Sequence, residues 1–165
     1  MKNKKIYCFV FLILVCSKVF GGCLDNEIIV FSFLTVSGND LSVCREENNK
    51  YLVYKYGKGD NYFQYPKRLD HRSWGEFSFS GMRRPGGKMN AGFGDYDLTF
   101  INSGFEYSIF QKWDDEKSSY EIGVLVRNLK TKRVVKINGL METQKGSLVL
   151  LEGNKYISNS AFEEK

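Results

Sequence analysis

From residue 27 onward the apolar residues recur with a period close to two, and turn-forming residues interrupt them about every ten positions. That period constrains the chain more than any other feature. It suits a pleated backbone whose side chains alternate between two faces, and it does not fit the 3.6-residue repeat of a helix. The segment Glu76-Phe77-Ser78-Phe79-Ser80 shows it clearly, with Phe on one face and Ser on the other; Tyr107-Ser108-Ile109-Phe110-Gln111 reads as a second case. Aromatic and β-branched residues dominate these runs, as half-buried sheet surfaces favour. The strands expected from the pattern are Glu27–Val36, Leu41–Arg45, Tyr51–Tyr56, Tyr62–Tyr65, Glu76–Ser80, Leu98–Asn102, Phe105–Gln111, Tyr120–Arg127, Val134–Asn138 and Ser147–Glu152. Asn102-Ser103-Gly104 reads as a tight hairpin, Ser37–Asp40 and Gly57–Asp60 as turns, and Asn128–Lys132 as a longer hairpin loop. No segment carries a convincing amphipathic helix. The expected fold is therefore all-β, an antiparallel sandwich or barrel of about ten short strands.

The first 22 residues do not belong to this pattern. Lys2, Lys4 and Lys5 precede Ile6–Cys16, an apolar run of 11 residues. About 20 would be needed to span a bilayer as a helix. A basic start, a short apolar run and the small residues Gly21 and Gly22 form the layout of a secretory signal. The expected division is a signal over 1–22 and a single β domain over 23–165. Two fates of the junction stay open. Cleavage before Gly22 gives a soluble exported protein, whereas Gly21-Gly22-Cys23 resembles the end of a lipoprotein signal, with Phe20 where an aliphatic residue is usual.

Removing the signal changes the charge. The chain has 24 Lys and Arg against 19 Asp and Glu, but four of the lysines lie at positions 2, 4, 5 and 18. The remainder carries 20 basic and 19 acidic residues, a net of +1. The sequence pI of about 8.9 is thus no footprint of nucleic-acid binding. Cys23 and Cys44 form an even pair suited to an oxidising compartment. A bridge between them closes a loop of roughly 20 residues, worth about 3 kcal/mol in the chain-entropy account. A lipid on Cys23 would preclude that bridge and leave Cys44 a lone thiol; only in that case is membrane contact expected.

Several motifs invite chemistry. Gly81–Gly94, GMRRPGGKMNAGFG, holds five glycines and a proline and reads as a long irregular connection. Arg83, Arg84, Lys88 and Asn90 within it are the expected contacts to an acidic partner surface, because arginine forks grip carboxylates and glycine allows close backbone approach. Trp113 is the expected aromatic anchor beside them. Gly86-Gly87-Lys88 is not a phosphate loop, since Met82 and Met89 stand where that motif needs Gly and Ser or Thr. Asp70, His71 and Ser73 are too close in sequence to face one another as a triad. Asp114, Asp115 and Glu116 read as a solvated hairpin tip rather than a glycosidase pair. Asp95 and Asp97 lack the further ligands a calcium loop needs. Tyr54 and Tyr56 share a strand face and are candidates to present hydroxyls at a surface. No catalytic residue, metal site or cofactor is expected.

The stretches LSVCREENNKYLVYKYGKGDNYFQYP (Leu41–Pro66), DLTFINSGFEYSIFQKW (Asp97–Trp113) and GVLVRNLKTKRVVKINGLMETQKGSLVLL (Gly123–Leu151) resemble a group of uncharacterised small exported bacterial proteins. The resemblance implies a bacterial source and an exported, periplasmic or envelope-associated protein; it carries no functional residue with it. The architecture is loosely similar to periplasmic lysozyme inhibitors and to immunity proteins that neutralise wall-attacking toxins. The expected function is accordingly a binding protein of the inhibitor or immunity type, whose partner is a secreted hydrolase or toxin. The alternative is an envelope module that is structural or binds glycan or lipid, anchored or free.

Overall fold

A computed structural model describes residues 22–59 and 61–159. The expected signal segment lies almost wholly outside the described residues. The strands are β1 (Glu27–Leu34), β2 (Asp40–Glu46), β3 (Leu52–Lys58), β4 (Asn61–Tyr65), β5 (Ser78–Arg84), β6 (Phe93–Asn102), β7 (Phe105–Asp114), β8 (Ser119–Asn128), β9 (Val134–Asn138), β10 (Lys145–Gly146) and β11 (Ser158–Asn159). One sheet has the order β10-β1-β2-β3-β4 and the other β11-β5-β6-β7-β8-β9. Every pairing is antiparallel except β11 on β5.

The alternation legible in the sequence sets the layers. Along β6, Gly94, Tyr96, Leu98 and Phe100 are buried while Phe93, Asp95, Asp97 and Thr99 are only partly so. Leu41 and Val43 of β2, with Leu52 and Tyr54 of β3, meet that face from the opposing sheet. Tyr54 thus belongs to the core, packed on Phe100 at 5.0 Å between ring centroids, and does not present its hydroxyl at a surface. Between sandwich and barrel, the structure is a sandwich. The sheets join strand to strand at one corner, where Thr35 bridges Gly139 and the Leu140 N–H donates to the Leu34 carbonyl at 2.8 Å. The outer strands elsewhere remain edges, so the sheet does not close.

Three expectations are corrected. Ser147–Glu152 is not a strand: Leu148–Leu151 forms a 3₁₀ turn that the Ser147 hydroxyl caps by accepting from the Val149 N–H at 3.2 Å. Leu148 and Leu151 are buried and Leu150 is exposed, a spacing of three that a strand cannot give. Glu76 belongs to another 3₁₀ turn, His71–Glu76, and the strand after it starts at Ser78. The third correction concerns Gly81–Gly94. Gly81–Arg84 continues β5 and Phe93–Gly94 begins β6, which leaves only Pro85–Gly92 as the connection of a β5–β6 hairpin. The glycines at its ends are strand residues under aromatic rings. A Cβ on Gly81 would lie 2.6 Å from the Tyr96 ring, and one on Gly94 would lie 2.2 Å from the indole of Trp113. Glycine permits each ring to lie across its neighbouring strand.

The Cys23–Cys44 bridge forms, with the Cα atoms 5.7 Å apart. It pins residues 22–26 over the outer face of the five-stranded sheet, where Cys44, Tyr51 and Val53 form a second small cluster with Cys23 and Leu69. Beneath this strap the Glu27 carboxylate is fully enclosed. It accepts from the Lys55 ammonium at 2.7 Å, the Leu24 N–H at 2.7 Å and the Tyr51 hydroxyl at 3.0 Å. Cys23, Glu27 and Cys44 lie close enough to suggest a metal centre. The two sulfurs are bonded to each other, however, and the carboxylate already has three donors, so the cluster is a covalent tie over an ion pair. The bridge also uses the sulfur that a lipid anchor would require.

Candidate functional site

The features that could engage a ligand converge at one end of the six-stranded sheet. Cross-strand register places Arg83 opposite Gly94, Gly94 opposite Trp113, and Trp113 opposite Tyr120. These residues form one transverse row on the inner face, beyond the cover that the other sheet provides. The aromatic members continue inward as a ladder. Trp113 stacks on Tyr96 at 5.5 Å and on Tyr120 at 6.5 Å, and Tyr96 stacks on Phe79 at 6.1 Å.

The hairpin tip projects from this row. Residues 84–90 are all exposed, and Met89 is 90% exposed. The base of the tip is nevertheless held in place. The Gly87 N–H donates to the Asn90 carbonyl at 2.9 Å, and the Arg84 Nε donates to the Ala91 carbonyl at 3.1 Å. The Arg84 guanidinium lies over the Phe93 ring at 5.1 Å. The neighbouring β7–β8 turn ties it down from the side. The Asp115 N–H donates to the Gly92 carbonyl at 2.9 Å, and the Asp115 carboxylate accepts from the Gly92 N–H at 3.1 Å.

The residues expected to make contacts therefore separate. Arg84, Lys88 and Asn90 share the tip. Lys88 has no ion-pair partner among the described residues. Arg83 turns to the inner face and pairs with Glu152 at 3.2 Å. Trp113 lies under the base of the hairpin, its indole covering Gly94. Cys23 and Cys44 sit on the other sheet and serve the scaffold.

Sequence reasoning did not single out Tyr120, Gln111 or Gln144, which build a fixed hydrogen-bond chain beside Trp113. The Gln111 side-chain oxygen accepts from the Ser147 hydroxyl at 2.9 Å and the Leu148 N–H at 2.7 Å. Its Nε2 donates to the Tyr120 hydroxyl at 2.8 Å, which in turn donates to the Gln144 Oε1 at 2.8 Å. The available signal was the position of Gln111, two residues before Trp113 on an inward-facing phase where a polar residue must find partners.

The other polar groups have identifiable structural work. Asp70 caps the 3₁₀ turn His71–Glu76, and hydrogen bonds from the Arg72 side chain and backbone hold its carboxyl down to about 2. The Ser73 hydroxyl is buried and accepts from the Leu52 N–H at 3.0 Å, while His71 is exposed. These three groups thus do not assemble as nucleophile, base and orienting acid. Asp114 closes the β7–β8 turn, accepting from the Lys117 ammonium at 2.8 Å and from the N–H groups of Glu116 and Lys117. The bond from Lys117 holds its carboxyl below the ordinary range. On the outer face, the Lys112 ammonium stands 2.8 Å from Asp95 and 3.5 Å from Asp97, occupying the space a cation would take between them. Burial pushes the Asp97 carboxyl upward against the pull of Lys112.

Comparison with protein families, with curated proteins and with solved structures finds no match to this chain.

Proposed function

We propose that the protein is an exported binding protein of the inhibitor or immunity type, which neutralises a secreted or envelope-acting hydrolase or toxin by contact through the β5–β6 hairpin tip. One observation carries the reading. The tip is fully exposed and basic, yet Asp115, Arg84 and the Gly87–Asn90 bond fix its conformation. A loop held in its binding shape loses little conformational freedom when it docks, which is how a short projecting segment reaches useful affinity. With Arg84 at its base and Lys88 near its apex, the tip also exposes the thioether of Met89, an adaptable apolar group suited to the mouth of a cleft. Their charge favours a partner whose cleft is acidic. The disulfide is compatible with an oxidising compartment, and the strap it holds stiffens the sheet opposite the tip.

The test is to purify candidate partners with the residue 22–165 chain from an envelope extract, and to assay the partner's activity as this chain is added. Stoichiometric inhibition that Arg84→Glu with Lys88→Glu abolishes supports the reading. Inhibition indifferent to the tip, or no partner whose activity falls, contradicts it.

A further inference from the structure

We propose that the cleft between the β7–β8 turn and the β10–3₁₀ segment is a binding site for a neutral saccharide. The cleft is a shallow groove open to solvent, with a volume of about 420 Å³, within the usual range for small-molecule sites. Its walls come from separate parts of the chain: Trp113 and Gln111 of β7, Ser118 and Ser119 at the turn, Tyr120 of β8, and Ser147 with Val149 across from them.

Its chemistry selects the ligand class. No basic side chain lines the cleft, so an anion would find no counter-charge. The two carboxylates at its rim are already engaged, Asp114 with Lys117 and Asp115 with the Gly92 N–H, which reduces the negative field a simple cation would meet. What remains is a wall of hydroxyl and carboxylate oxygens beside two aromatic rings. A sugar presents the matching surfaces, hydroxyl groups that donate to such oxygens and an apolar C–H face that packs on a ring. Trp113 and Tyr120 stack with centroids 6.5 Å apart and planes 20° apart, and Tyr120, 36% exposed, is the ring that a sugar face would meet. The polar wall is preorganised, because Gln111 spends both ends of its carboxamide on Ser147, Leu148 and Tyr120. The Tyr120 hydroxyl accepts from Gln111 and donates to Gln144, so its position at the cleft is fixed. This inference does not rest on the hairpin-tip reading, since the ligand is measured with no protein partner present.

The protein has two tryptophans, and Trp74 is 1% exposed in the core, so a ligand-dependent change in emission reports on Trp113. The experiment titrates the folded chain with cellotriose, maltotriose and chitotriose, following tryptophan emission and heat of binding. Tetramethylammonium chloride serves as the cation control. The expected result is a saturable response to at least one trisaccharide. Tyr120→Ala weakens it about tenfold and Tyr120→Phe, which keeps the ring, retains most of it. Should Tyr120→Ala fail to fold, Ser119→Leu at the exposed rim closes the cleft and abolishes the response. No saturable response to any of the three sugars overturns the proposal. So does an equal response to the cation, or full affinity in the folded Tyr120→Ala or Ser119→Leu variant.

Discussion

Gly94→Ala is the most informative single substitution, because it links the sheet to the site. The added Cβ would lie 2.2 Å from two atoms of the Trp113 indole and 2.5 Å from a third, well inside contact distance. The far edge of a ring wedged between Tyr96 and Tyr120 has little room to retreat. Overpacking of this kind costs about 1–3 kcal/mol. An opposing effect comes from the unfolded chain, where alanine has fewer conformations than glycine, worth about 0.4–1 kcal/mol in favour of the variant. The net expectation is a loss of about 1–2 kcal/mol. At roughly 3–4 °C per kcal/mol for a chain of this size, the midpoint of thermal unfolding falls by about 3–8 °C. Gly87→Ala is the control: nothing lies within 4 Å of its Cβ, so only the unfolded-state effect acts and the midpoint holds or rises slightly. Thermal unfolding followed by circular dichroism measures both, and tryptophan emission shows whether the Trp113 ring has moved. If Gly94→Ala unfolds at the same temperature as Gly87→Ala with unchanged emission, the ring does not lie where this argument requires.

Other predictions address the rest of the scaffold. Lys55→Met strands the enclosed Glu27 carboxylate and lowers stability by about 3–5 kcal/mol, while Lys55→Met with Glu27→Gln recovers much of it; denaturant unfolding of the single and double variants measures the difference. Reduction of Cys23–Cys44 lowers stability by about 3 kcal/mol, checked by unfolding with and without a thiol reductant. Burial first, then the bond to an acidic partner, pushes the hydroxyls of Tyr51 and Tyr65 up to about 12 from an ordinary value of 10. The folded state therefore holds protons that the unfolded chain releases, so stability is intact below pH 10 and declines as pH rises toward 12. Tyr51→Phe should flatten part of that decline in a pH series of unfolding curves.

The sheets were legible wherever alternation was uninterrupted. Asn102–Phe105 illustrates the local signal at its strongest: Ser103 and Gly104 adopt φ of 50° and 81°, and Asn102 pairs with Phe105 across a two-residue turn. Alternation misled where a glycine replaced the inward residue. Gly81 and Gly94 carry no side chain to mark the phase, so the ends of β5 and β6 read as loop, although the missing side chains were supplied by Tyr96 and Trp113 from the next strands. The polar phase expected of Tyr107–Gln111 likewise depends on neighbours. Phe110 points to the outer face, yet it is 2% exposed because Lys136 of β9 lies over its ring at 5.3 Å. Leu148–Leu151 shows the converse, an apolar run too short for its period to distinguish a strand from a 3₁₀ turn. Of the site, the basic tip and Trp113 were visible by composition. The tie from Asp115 to Gly92 and the chain through Gln111 were not, because, the Gln111–Tyr120 bond apart, they join residues more than 20 positions apart whose contact only the fold creates.

The most direct test of the central claim is inhibition of a captured hydrolase or toxin by the parent chain and by Arg84→Glu with Lys88→Glu, measured side by side at two salt concentrations. The parent is expected to inhibit at a one-to-one ratio, the reversed charges to weaken inhibition at least tenfold, and added salt to narrow the gap between them. Equal inhibition by both chains would show that the hairpin tip is not the surface through which this protein acts.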